Sequence, residues 1–269
     1  MARLIDPERV AAVIAEIAEA EIASRYGKLA KSEIREKSGP NDLVTEVDEA
    51  TEKALRAALK DIRPGAAFVG EESASADPAV ANALKSGAAA WIVDPLDGTR
   101  NFVNGVDEFG TIVAFVEGGE AQMGWIYAVP DKAMAIGVKG EGATWRGEKI
   151  VAKKPAGERH VALRSLGFLP PARAEYMRAL LKEHFDSRPG YCSAYAYIAL
   201  ARGLVDFKIS SRIHPWDHVA GAVIVKEAGG RIAWLEDGAA YRPQPSADRL
   251  LLATAPGRRW DDVAAVLRR

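Results

Sequence analysis

Apolar positions recur at helical spacing from the start of the chain. After Asp6-Pro7, a capping acid followed by a first-turn proline, Val10, Val13, Ile14, Ile17 and Ile22 mark one face until Gly27. A second helix is expected from Thr45, where Thr45-Glu46-Val47-Asp48 has the form of a capping box. Val47, Ala50, Ala54, Leu55, Ala58 and Ile62 then form one stripe before Pro64-Gly65 stops it. Short strand-like runs follow at Ala67-Phe68-Val69 and Trp91-Ile92-Val93, each ending in acidic residues. From Phe109 to about Trp145, β-formers alternate with glycine breaks, which predicts an antiparallel meander. After Pro155 strand and helix alternate. Strands are expected at 161–163, 207–209, 231–235 and 250–253, and helices at about 172–184, 193–202, after Pro215 and at the C-terminus. Helices and an antiparallel sheet first, with alternating α/β later, predict one layered α/β sandwich over residues 1–269. Its halves are an α+β part (1–150) and an α/β part (151–269).

Composition narrows the function classes. A chain of 269 residues with 48% hydrophobic positions can bury a sizeable core, so disorder is not expected. A net charge of −1 argues against nucleic acid or an anionic membrane as partner, since both demand a basic surface. No run of 18 apolar residues and no apolar leader occurs, and Cys192 is the single cysteine, so a reducing cytoplasm is the expected compartment. The charge is uneven: residues 41–108 hold 13 Asp+Glu against 6 Lys+Arg.

Three segments carry candidate chemistry. In Trp91-Ile92-Val93-Asp94-Pro95-Leu96-Asp97-Gly98-Thr99 an apolar strand delivers two carboxylates to its C-terminal end, stiffened by Pro95 and followed by a permissive Gly98. Hard divalent cations want such oxygen ligands, and a helix starting near Gly98 would turn its free N–H groups on a phosphate. Ordinary turn and capping acids give the same string. Gly70-Glu71-Glu72-Ser73 also follows a strand, and reads either as a ligand source or as a solvated loop. His214-Pro215-Trp216-Asp217-His218 places a carboxylate in a helix's first turn, where capping alone would account for it. The two histidines lack a zincin's internal glutamate and a third ligand, so zinc is not the reading.

Taken together, Gly70 to Ser73, Asp94 to Thr99, and Pro215-Trp216-Asp217 through Gly229-Gly230 resemble the signatures of the inositol monophosphatase family, lithium-sensitive Mg²⁺-dependent phosphomonoesterases. Asn41-Asp42-Leu43-Val44-Thr45 with Asp48 resembles a fourth signature, and Gly140-Glu141-Gly142-Ala143 a further family string. The resemblance implies an αβαβα sandwich of the sugar-phosphatase type that works as a homodimer on a small phosphorylated metabolite. It also implies two or three Mg²⁺ ions. Glu71, Asp94 and the Leu96 carbonyl would hold one; Asp94, Asp97 and Asp217 a second; Glu71 would touch a weaker third through water. Thr99 paired with Asp48 would activate the attacking water, the N–H groups of Gly98 and Thr99 would hold phosphate, and Lys37 would ride on a mobile loop over the site. Asp97, Ser193 and Ser210 fall at substrate-side positions.

The departures from the family pattern are also on the substrate side. Ser210 stands where the inositol-specific members carry a glutamate, Arg100-Asn101-Phe102-Val103-Asn104 replaces Thr-Asn-Phe-x-His, and Cys192-Ser193-Ala194-Tyr195 replaces a Gly/Ser-Ala-Ala stretch. Arg100 reads either as a surface ion-pair residue or as the partner of a second anionic group. Tyr191, Tyr195 and Tyr197 read as packing residues, Tyr195 being the one to test against a bulkier leaving group. The expected activity is hydrolysis of inositol-1-phosphate or a related sugar or polyol phosphate. Alternatives are fructose-1,6-bisphosphate, histidinol phosphate, NADP or an adenosine bisphosphate, and, outside enzymes, a regulatory binding protein that keeps the fold.

Overall fold

The computed structural model describes residues 5–28, 34–39, 42–151, 160–190, 192–244 and 249–269. Helix α1 (Pro7–Glu21) starts where Asp6 accepts a hydrogen bond from the Glu8 amide at 3.0 Å, and buries Val10, Ala11, Ile14 and Ala18. Strands β1 (Ile34–Gly39) and β2 (Asp42–Thr45) form an antiparallel hairpin that leads into α2 (Glu46–Ile62). The segment expected as a loop bearing Lys37 is thus the first strand of this hairpin; the Lys37 side chain, like Asn41 and Tyr191, lies outside the described residues.

β3 (Ala67–Gly70), α3 (Glu71–Ala76), a 3-10 stretch over Pro78–Ser86, β4 (Ala90–Asp97) and α4 (Thr99–Val103) follow. The meander then comprises β5 (Gly110–Glu117), β6 (Glu120–Ala128), β7 (Ala133–Val138), β8 (Gly142–Trp145) and β9 (Glu148–Lys149). These strands join in the order β3-β4-β5-β6-β7-β8-β9. The sheet is antiparallel except at its first edge, where β3 pairs parallel with β4, a departure from the all-antiparallel expectation that brings Glu71 and Asp94 out at the same end. In the second half come β10 (Val161–Ser165), α5 (Pro171–His184), β11 (Asp186–Pro189), α6 (Ser193–Ala201) and β12 (Phe207–Ser210). α7 (Pro215–Glu227), β13 (Arg231–Trp234), β14 (Leu251–Thr254) and α8 (Trp260–Leu267) complete the chain. Their sheet runs β11-β10-β12-β14-β13, parallel across its first three strands and antiparallel beyond.

The layers run α, β, α, β, α. Helices α1 and α2 cover one face of the seven-stranded sheet, where Trp91, Phe115 and Trp125 are buried, and α6 and α7 cover the other. The five-stranded sheet packs on the far side of α6 and α7, and α5 and α8 close its outer face over Phe207, Ile209 and Trp260. As the central layer, α7 is apolar nearly all round, which suits a helix buried between two sheets. It lies so close to the first sheet that a Cβ on Gly124 would come within 2.6 Å of the Ala220 backbone, and one on Gly137 within 2.8 Å of Ile224. Glu227, at the end of α7, accepts hydrogen bonds from the Gly140 and Gly142 amides at 3.0 Å each, so the Gly-Glu-Gly-Ala string is the turn that locks this helix to the sheet.

Candidate active site

A β-bulge makes the two strand-end aspartates converge. Along a regular strand, residues three apart face opposite sides. In β4 the register against β5 shifts between Asp94, opposite Ile112, and Asp97, opposite Gly110, so one extra residue resets the alternation. Both carboxylates therefore emerge on the α6/α7 side. The Thr111 hydroxyl donates to the Pro95 carbonyl at 2.9 Å and fixes the bulge. Gly98 follows at φ +85°, and a Cβ there would meet the Glu108 carbonyl at 2.8 Å, so no other residue fits the turn into α4.

Asp48 reaches this turn from the first coil of α2. One of its oxygens accepts from the Thr45 amide at 2.8 Å and the Thr45 hydroxyl at 2.6 Å, and the Val47 amide donates to Thr45 Oγ1 at 3.2 Å, completing the expected capping box. Its other oxygen accepts from Thr99 Oγ1 at 2.9 Å. That hydroxyl also lies 2.9 Å from the Leu96 carbonyl, with one proton for two acceptors. Burial pushes the Asp48 carboxyl up to about 6, against the hydrogen bonds from Thr45 and Thr99. Three donors aimed at it favour the ionised form, which is the form able to take a proton from Thr99.

Glu71 opens α3 and lines the same cleft, so the solvated-loop alternative does not hold. What secures this short helix is a residue that sequence reasoning passed over. Glu52 of α2, 5% exposed, accepts from the Glu72 and Ser73 amides at 2.8 and 3.0 Å. Asp48 and Glu52 stand four apart on the face that carries Leu55 and Leu59, and two acids on an apolar stripe are the signal that was available.

The third wall comes from α7. Asp217, in its first turn, brings a carboxylate oxygen to within 4.8 Å of oxygens of Asp94 and Asp97, and these three form the potential cation-holding cluster. Glu71 stands in the cleft outside that trio. Burial first, then the charges of Glu71 and Asp97, push Asp217 up to about 8. Burial also raises Asp97, opposed by the Ala194 amide at 2.6 Å and the Cys192 thiol at 2.8 Å, both donating to its carboxylate. Like charges this close are costly without a cation, and an all-oxygen acidic donor set suits a hard divalent ion such as Mg²⁺.

His218, next to Asp217, is a packing residue. Its Nε2–H donates to the Arg212 carbonyl at 2.7 Å, leaving Nδ1 to accept the Tyr197 hydroxyl at 2.7 Å, and burial holds the ring neutral. His214 stacks on Trp216 with ring centres 4.7 Å apart.

The cleft measures about 450 Å³ and is bordered by Gly98, Thr99, Arg100, Ser193 and Ser210, so the substrate-side positions read from the sequence do gather here. Ser210 is engaged by a neighbour missed earlier: Lys208 donates to its Oγ at 2.6 Å. Tyr195 is elsewhere. Its hydroxyl donates to Asp131 at 2.8 Å in a separate recess with Trp145 and Arg202, which removes it as a leaving-group contact. This agrees with the reading of Tyr195 as a packing residue, and Ser193 and Tyr195, two apart in α6, point in different directions.

Residues 6–268 match the profile described as the inositol monophosphatase family. The chain belongs to that family. It is 33% identical over 200 residues to the fructose-1,6-bisphosphatase/inositol-1-monophosphatase of Thermotoga maritima, covering 74% of each chain. It is 32% identical over 244 residues to the inositol-1-monophosphatase of Mycobacterium bovis, covering 88% of this chain and 81% of that one. A solved Thermotoga maritima IMPase superposes with a TM-score of 0.80 at 25% identity, over 97% and 96% of the two chains. The αβαβα layering is the family's, and the chain is a phosphoric monoester hydrolase of this metal-dependent group acting on small phosphorylated metabolites. Among the described residues, no helix is long and apolar enough to cross a membrane.

Proposed function

We propose that the protein is a Mg²⁺-dependent phosphatase that hydrolyses a small sugar or polyol phosphate by in-line attack of water on phosphorus, with inositol-1-phosphate the first compound to test. The observation that carries this reading is the juxtaposition, in one cleft, of the Asp94, Asp97 and Asp217 carboxylates with the Thr99–Asp48 pair. Asp94, Glu71 and the Leu96 carbonyl would hold one ion, Asp94, Asp97 and Asp217 a second, and Glu71 a weaker third. Bound there, Mg²⁺ supplies neutralising charge for the phosphoryl oxygens and lowers the pKa of water. Thr99 accepts a hydrogen bond from the attacking water and passes its own proton to Asp48, since a threonine hydroxyl alone is too weak a base. The amides of Gly98 and Thr99 orient the phosphate, and Ser193 and Ser210 face the leaving group. Such a proton-accepting pair has no use in a regulatory binding protein, which favours the enzyme over that alternative. In this reading the whole chain, 1–269, works as one cytoplasmic unit and pairs as a homodimer.

Phosphate release from a panel of monoesters with Mg²⁺ tests the proposal. Asp94→Asn is expected to lower turnover at least a thousandfold, the scale on which charge stabilisation of phosphoryl transfer acts. No Mg²⁺-dependent release from any ester, or undiminished release by the variant, overturns it.

A further inference from the structure

Helix α7, whose first turn carries Asp217 into the cleft, borders a second recess with its C-terminal half. Residues of β6, β7, α7, β13 and the turn after β13 enclose about 410 Å³ there, a size suited to a small ligand, and none of them lines the catalytic cleft. The floor is apolar: Ala222 and Val223 of α7, Ile232 of β13, and Tyr241 and Pro243 beyond it. The Tyr241 ring packs edge-on to the His218 ring, with centres 6.5 Å apart, and so fixes this wall against the start of α7.

The mouth is cationic. Lys139, Lys226 and Arg242, all exposed, border it with a single acid, Glu120. Arg231, also at the mouth, is engaged elsewhere: it reaches Asp261 at 3.2 Å and stacks over Trp260 at 4.4 Å. Glu120 is bonded to Lys139, which holds its carboxyl below the ordinary carboxylate value, and the charges of Lys226 and Arg242 act in the same direction. Three cations thus surround one carboxylate, which leaves two positive charges in excess. Among the described residues, no ion pair or hydrogen bond takes up the Lys226 ammonium or the Arg242 guanidinium.

An apolar floor under a cationic mouth complements one kind of molecule. A neutral apolar ligand would leave the two cations unmatched, and a wholly polar anion would leave the floor wet. We propose that this recess binds a small organic acid with an apolar body: the body lies on Val223, Ile232 and Tyr241, and the carboxylate meets Lys226 and Arg242. Arg242 can take a carboxylate as a two-pronged donor, and Lys226 adds a point charge. The floor supplies most of the affinity by burying apolar area. The exposed cations supply discrimination, because a surface ion pair gains little by itself.

Calorimetric titration with 2-naphthoate, beside 2-naphthalenemethanol as an uncharged molecule of the same body, tests this. Mg²⁺ and saturating inorganic phosphate are present throughout, so that the catalytic cleft is occupied. 2-Naphthoate is expected to bind once per chain and about tenfold more tightly than the alcohol at low salt, the gain that two surface charges give together. The difference should shrink at high salt. Lys226→Gln with Arg242→Gln is expected to erase it and to leave the melting temperature unchanged, since both positions are exposed. Either single variant, expected to remove part of the preference, gives the same reading if the pair does not fold. Equal affinity for acid and alcohol, a preference unmoved by the variants, or no saturable binding while phosphate fills the cleft overturns the proposal. Each of these outcomes leaves the phosphatase reading intact, because release of phosphate from an ester is measured separately.

Discussion

Thr99 and Asp48 are each ordinary in isolation, and their 2.9 Å contact gives them a joint task. If the hydroxyl relays a proton from water to the carboxylate, removing either end breaks the same path. Thr99→Ala and Asp48→Asn are each expected to lower kcat by about 10²–10⁴-fold with KM little changed, and the double variant to be no worse than the poorer single one. Steady-state kinetics on one ester decide it, and losses that multiply would mean that the two act separately. At this scale the sequence was most readable where a charge sat at a strand end with nothing to pack against, as with Asp94 and Asp97. It was least readable where a charge sat inside an apolar context. Lys208, between Phe207 and Ile209, looks like the solvated side of a strand, yet both faces of β12 are covered, by α6 and α7 on one side and α5 and α8 on the other. Of the 13 acids between residues 41 and 108, four carry site roles in the family resemblance, and Glu52, outside those four, is buried all the same.

Glu52 acts at the scale of elements. Helix α3 has six residues, too few to persist without outside help, and its first amides find their acceptors on α2. Each carboxylate oxygen of Glu52 takes one amide, so an amide side chain leaves one N–H facing an NH₂ group. Glu52→Gln is therefore expected to cost about 1–3 kcal/mol, the loss of a charged, buried acceptor. It should appear as a lower urea midpoint with an unchanged slope. Because Glu71 is the first residue of α3, the same variant should weaken Mg²⁺ binding in a titration. An unchanged midpoint and an unchanged Mg²⁺ affinity would show that α3 is held by other contacts. The bulge in β4 belongs to this scale too. Pro95 hinted at a turn, but only the pairing of β4 with β5 shows that one residue is inserted and that Asp94 and Asp97 share a side. β11 was missed for a related reason: Asp186-Ser187-Arg188-Pro189 has no apolar alternation and owes its strand form to pairing with β10.

For the molecule as a whole, the acidic site is a standing electrostatic cost that bound cations relieve, and pH makes this measurable. In the metal-free fold Asp48 is raised from 3.8 to about 6 and Asp217 from 3.8 to about 8, burial leading in both. An acid whose folded pKa is raised binds its proton more tightly when folded. Its contribution to stability is fully present below about pH 4 and is lost as pH climbs through the folded value. Lys208, lowered from 10.5 to about 8 by burial, stays protonated in folded and unfolded chains below pH 8, so its own slope lies above that window. Between pH 5 and 8 the two aspartates thus act in the same direction, by an amount on the order of a few kcal/mol. With a chelator present, Tm is expected to fall from pH 5 to pH 8, and Asp217→Asn to flatten the slope. Saturating Mg²⁺, which displaces the proton as the compensating positive charge, should raise Tm more at pH 8 than at pH 5. Calorimetric melts at the two pH values, with chelator and with Mg²⁺, check all three expectations. A chelated protein whose Tm is level or rising over that range, or a Mg²⁺ increment equal at both ends of it, would separate the cation from these carboxylates and place it elsewhere in the fold.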